Sequence, residues 1–194
     1  MATTSDRRTR RREQTRERIV DAAVELFVSQ GYDATTVDQI AAAADVARGT
    51  FFNHFPCKEG LTHAWIERRR GELRDRVATM TGPDATTRLV DGLKTVAALY
   101  DTDDTTRRVM VRIWIRCGGP FGPAHGQTAE FIRELLDEGK NTGQVRDDLD
   151  TLIAGLVLQD VFLGALCRWA ATETDSLEQH LQPVLNLVIP LLRR

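Results

Sequence analysis

The chain has 194 residues, 42% of them hydrophobic and 28% charged, which excludes a disordered chain and allows one or two compact domains with a buried core. A net charge of −2 hides an asymmetry: residues 1–18 carry seven arginines against Asp6, Glu13 and Glu17, a balance of +4, while residues 81–194 carry twelve basic and sixteen acidic residues, a balance of −4. A basic end ahead of an acidic body points to a polyanionic partner at one end only.

The three cysteines, Cys57, Cys117 and Cys167, are far apart and show no metal-ligand spacing. They argue against a disulfide framework or a zinc site and for a reducing, cytoplasmic setting without a cofactor. The N-terminus is arginine-rich without an apolar run, so no signal peptide is expected.

Taken in chain order, Ile19, Ala22, Ala23, Leu26 and Phe27 recur at helical spacing and predict a first helix over about residues 15–30, stopped by Gly31. Thr36 and Gln39 have the capping-box spacing, so a second, short helix is expected from about Val37. Its apolar face is Val37, Ile40, Ala41 and Ala44. Asp45 breaks that run, and a third short helix is expected over residues 47–54, ended by Pro56. A long fourth helix opens near Lys58 and reaches toward Met80. Five further helical patterns follow, over about residues 85–100, 105–116, 127–141, 148–171 and 176–192, with turn signals between them. No strand alternation or internal repeat is present. The expected fold class is all-α, about nine helices, with a small N-terminal three-helix unit joined to a larger helical bundle.

Residues 152–171 are apolar enough to suggest a membrane span, but Gln159 and Asp160 stand in the middle, and a soluble core helix is the expected reading.

Two short helices joined by a tight turn behind a longer supporting helix describe a helix-turn-helix, whose second helix enters the DNA major groove. In the stretch DVARGTFFNHF, Phe51 and Phe55 share one helix face and can plug a core. Arg48 and Phe52, also four apart, share the other face. Arg48 is the candidate for bidentate recognition of guanine, and Thr50 for a base or a thymine methyl. Thr36 and Lys58, each at a helix start, are candidates for phosphate contacts, with Asn53 and His54 adding to them. Gly49 would let backbone come close to another surface. The arginines at 7–12 could follow the DNA backbone.

The run TTVDQIAAAADVARGTFFNHFPCKEGL resembles the DNA-binding signature of the tetracycline-repressor (TetR) family of bacterial transcription regulators, over about residues 16–65. The resemblance implies three N-terminal DNA-binding helices, a helical effector-binding and dimerisation domain, and a dimeric repressor released from its operator by a small molecule. On that basis residues 1–14 form a basic arm, 15–75 the DNA-binding domain with its helix pair at about 37–55, and 76–194 the effector and dimerisation domain. Three positions depart from the family pattern. Asp45 stands where glycine is common, and Asp tolerates the left-handed turn better than most residues. Ala47 replaces a capping serine. Phe52 replaces a tyrosine and removes a phosphate hydrogen bond.

In the second domain the last two helices carry stripes at Leu152, Leu156, Gln159 and Leu163, and at Leu177, Leu181, Leu185 (or Val184), Val188 and Leu192. They are expected to pair with a second copy, which places two recognition helices on a palindromic double-stranded operator. The effector candidates are His63, Met110, Arg112, Trp114, Phe121 and Asp160, with Trp65 and Arg116 beside them. The sequence does not name the effector. An activator or a regulator without an effector keeps the same fold. A helical enzyme using His63, His125, Asp160 or Cys117 lacks any nucleophile–base spacing. A nucleoid-associated cytoplasmic regulator, with no membrane partner, is the expectation.

Overall fold

The computed structural model describes residues 4–78, 82, 84–101, 104–121 and 126–193. Among them are nine α-helices: α1 (Thr4–Gln30), α2 (Val37–Ala43), α3 (Arg48–His54), α4 (Glu59–Ala78), α5 (Ala85–Asp101), α6 (Asp104–Arg116), α7 (Gln127–Asn141), α8 (Thr151–Ala171) and α9 (Leu177–Leu192). A short 3-10 turn, Gly119–Phe121, follows α6, and no sheet occurs among the described residues. The chain divides into two compact units, Met1–Glu67 and Arg68–Arg194.

The first unit closes around Ile19, Ala23 and Phe27 of α1, Ile40 and Ala41 of α2, Phe51 and Phe55 at α3, and Leu61 and Trp65 of α4, all buried. Helix α1 begins at Thr4, well before the apolar periodicity starts. The basic segment read as an arm is therefore the exposed first half of a helix. The physical reason is propensity: Arg, Gln and Glu lose little rotamer freedom in a helix. A Glu13–Arg16 pair at 3.7 Å and a bond from Thr15 Oγ1 to the Arg11 carbonyl support it locally. Gly31, at φ +87°, stops the helix.

The predicted capping box is present, with Thr36 accepting from the Gln39 amide and Gln39 Oε1 accepting from the Thr36 amide at 2.8 Å. Helix α2 ends in a left-handed residue, Asp45 at φ 51°. The amide of Asp45 bonds the Ala42 carbonyl and that of Val46 bonds the Ala41 carbonyl, a Schellman closure. Aspartate thus occupies the position that glycine usually fills. Ala47 starts α3 without any side-chain cap. Phe55 ends it in an extended conformation, as the residue before Pro56 must.

In the second unit α8 packs against α6, α7 and α9. Its length and composition alone would suit a membrane span. Its midpoint carries a polar tie instead: buried Gln159 accepts from the Ala129 amide of α7 at 3.0 Å. That bond serves an α7 N-terminus whose N-cap, Gly126, has no side chain to offer. Gly155 lets the two backbones meet, since a Cβ there would lie 2.5 Å from the Ala129 carbonyl oxygen. Asp150 caps α8 and Ser176 forms a capping box with Gln179 at α9.

The C-terminal end of α8 is held by two arginines of α6. Arg108, 5% exposed, donates to the carbonyls of Trp169, Thr172 and Asp175, and its guanidinium lies 4.4 Å from the Trp169 ring centroid. Arg112 donates to the carbonyls of Ala170 and Thr172. The last carbonyls of a helix have no partner within it, and cations at that end also suit the helix dipole.

Candidate nucleic-acid interface

Helix α3 sorts its side chains by face. Phe51 and Phe55 are buried with ring centroids 6.0 Å apart, whereas Phe52 is 43% exposed. Arg48, Gly49 and Asn53 are exposed, and Thr50 and His54 are half-buried. The exposed face therefore offers Arg48 and Phe52 together, with the Arg48 guanidinium carbon 5.6 Å from the Phe52 ring centroid. A Cβ added at Gly49 would meet nothing within 4 Å. The protein's own packing does not require glycine there, although glycine costs helix stability.

Arg48 has a partner that sequence spacing did not reveal. Its Nη1 donates to both carboxylate oxygens of Asp38 on α2, each at 2.5 Å. Both side chains remain more than 60% exposed, at 61% and 63%. The two residues lie on different helices across the turn, so no helical period links them.

His54 turns toward α1. Burial, and then the cations of Arg12 and Arg16, push its pKa below the ordinary value, and its buried Nδ1 has no hydrogen-bond partner. Arg16 itself sits over the Phe55 ring, 5.1 Å from the centroid.

Lys58 also has partners within the chain. Its ammonium donates to the carbonyls of Tyr32 at 2.7 Å and Thr35 at 2.9 Å, and lies 4.1 Å from the Tyr32 ring centroid. It ties the α1–α2 turn to the start of α4. The cause is local: a flexible cation beside turn carbonyls donates to them. Thr36 is exposed, but its hydroxyl is engaged in the capping box.

The effector candidates fall in both units. Met110 and Trp114 share a fully buried face of α6. Gly119 packs under Trp114, where a Cβ would fall 2.1 Å from the indole Nε1. Arg112 is committed to the end of α8. Asp160 is exposed on α8. The side chain of Phe121, and His125, lie outside the described residues. His63 belongs to the first unit, half-buried on α4, beside buried Trp65.

Comparison with known proteins separates the two units. The pattern of the family described as "Bacterial regulatory proteins, tetR family" matches residues 19–65. The regulator TcmR of Streptomyces glaucescens is 50% identical over 52 residues, 27% of this chain and 23% of its own length. The transcriptional repressor DhaR of Mycobacterium sp. (strain GP1) is 26% identical over 195 residues, covering 90% of this chain and 92% of the relative. Among solved structures, Thermus thermophilus FadR, a TetR-family transcriptional repressor in complex with lauroyl-CoA, has a TM-score of 0.74 and 28% identity, covering 91% of this chain and 94% of that one.

Proposed function

We propose that this chain, whose residues 19–65 match the pattern of the tetR family of bacterial regulatory proteins, is a ligand-responsive DNA-binding repressor of that family rather than an enzyme, and that α3 reads its operator through Arg48. The observation that carries this reading is the two-faced helix: Phe51 and Phe55 anchor it, while Arg48 and Phe52 stand exposed beside a glycine with open space around it. An exposed guanidinium on the outer helix of such a pair has the geometry for guanine O6 and N7 in the major groove. Phe52 contributes apolar contact to a sugar or a thymine methyl. Thr50 and Asn53 flank it, and the arginines of the first half of α1 add sequence-independent attraction to phosphate.

The chain works as a homodimer through α8 and α9 on a palindromic operator. Support comes from large apolar side chains left exposed on those helices: Leu152, Ile153 and Val157 on α8, and Leu187, at 71%, and Leu191 on α9. Sedimentation that returned the mass of a single chain would remove this pairing.

The effector binds the second unit. The interior of α6 and α8, with Met110, Trp114, Leu158, Leu166 and Trp169, is apolar. That favours a largely apolar molecule, and the Thermus thermophilus repressor was solved with lauroyl-CoA.

The test of the α3 reading is fluorescence anisotropy on a duplex selected from a randomised library. Arg48→Ala is expected to cost about 1–3 kcal/mol on the selected duplex and to relax preference at one position per half-site. Equal losses on selected and random duplexes would take base reading away from Arg48.

A further inference from the structure

Resting on the reading that α3 enters the major groove, we infer that Asp38 of α2 is a specificity-determining positioning residue. It holds the Arg48 guanidinium in one orientation before DNA arrives, and so makes Arg48 select guanine rather than the nearest phosphate.

The guanidinium of Arg48 is held from two sides. Its Nη1 donates to both Asp38 oxygens at 2.5 Å, and the Phe52 ring lies 5.6 Å from its central carbon. An arginine free in solvent samples many rotamers and loses that freedom on binding. One already oriented loses less. Asp38 uses Nη1 alone. The remaining edge, Nε with Nη2, presents two parallel donors, the pattern that matches O6 and N7 of guanine.

The carboxylate also acts against the wrong partner. Arginine binds phosphate as readily as guanine, and phosphate contacts carry no sequence information. Asp38 partly neutralises Arg48 and repels a phosphate that approaches it. In water the pair is exposed and weak. Once the groove expels water, the same ion pair strengthens, because the local dielectric falls. Asp38 therefore lowers non-specific affinity and raises discrimination, two effects that a purely structural role in α2 would not combine.

The experiment uses the full chain and a randomised duplex library, followed by competition anisotropy on the selected duplex, on its single-base variants and on random-sequence duplex. Asp38→Asn is expected to lower discrimination at the position read by Arg48 about tenfold. The same variant should bind random duplex several-fold more tightly at low salt, by removing a negative charge from the contact face. Asp38→Ser is measured beside it, so that a folding defect in one variant does not decide the result. If both variants keep the wild-type preference at every position while Arg48→Ala loses one, Asp38 has no positioning role and the Arg48 reading stands. If Arg48→Ala also leaves every preference intact, both fall together.

Discussion

Arg48 on α3 and Arg108 on α6 are the same residue type in opposite settings. Arg48 is exposed, meets a carboxylate and leaves one donor edge to solvent. Arg108 is buried and gives its donors to three backbone carbonyls at the end of α8. The comparison teaches that a cation's task is decided by what its nitrogens face. A carboxylate in water leaves a cation available for exchange, since such pairs are worth little. Backbone carbonyls in the interior do not, because they would be left unsatisfied.

The largest effect that could break this contrast belongs to Arg108→Met, which keeps much of the stem and removes every donor. The Asp175 carbonyl loses the guanidinium, while the Thr172 carbonyl keeps Arg112 and the Trp169 carbonyl keeps the Thr172 amide and hydroxyl, so a loss of about 2 kcal/mol in a urea titration followed by tryptophan fluorescence is expected. A loss under about 1 kcal/mol would mean that water replaces the guanidinium and that burial is not decisive.

Lys58 sharpens the contrast within the first unit. Lys58→Met should destabilise that unit by about 2 kcal/mol through its two lost carbonyl bonds. The salt dependence of DNA binding should stay as in the wild type. A slope shallower by about one would return Lys58 to the phosphate contacts.

The smallest expected effect lies at the uncapped start of α3. Ala47→Ser supplies the missing acceptor and should stabilise the chain by about 0.5–1 kcal/mol, read as a raised urea midpoint. An unchanged midpoint would mean that the α3 amides there are already satisfied.

The sequence was most informative where period and local sterics act alone. The two faces of α3 follow from helical spacing, and the left-handed turn at Asp45 follows from aspartate's tolerance of positive φ. It was least informative where a side chain answers to backbone. The carbonyl partners of Lys58 and Arg112 were not legible, because carbonyl acceptors leave no mark in a sequence. The start of α1 was placed late because apolar periodicity reports only a helix's buried length, and the arginine-rich turns have none. Gln159 and Asp160 stand together in the middle of α8, but one residue step turns the helix by about 100°, so Gln159 is buried and Asp160 exposed. Asp38 could not be found at all, since its contact with Arg48 crosses a turn that only the fold defines.

The joint between α7 and α8 has one further consequence. Gly155 is a notch that admits the Ala129 carbonyl, and Gln159, one turn along, is a peg that receives the Ala129 amide. A notch fixes how deeply two rods seat, and a peg fixes where along their length they seat. With both on the same residue of α7, the seam has no slack in either direction. Any bulkier residue at 155 prises it open, and any lengthwise slip breaks the bond between Gln159 and the Ala129 amide.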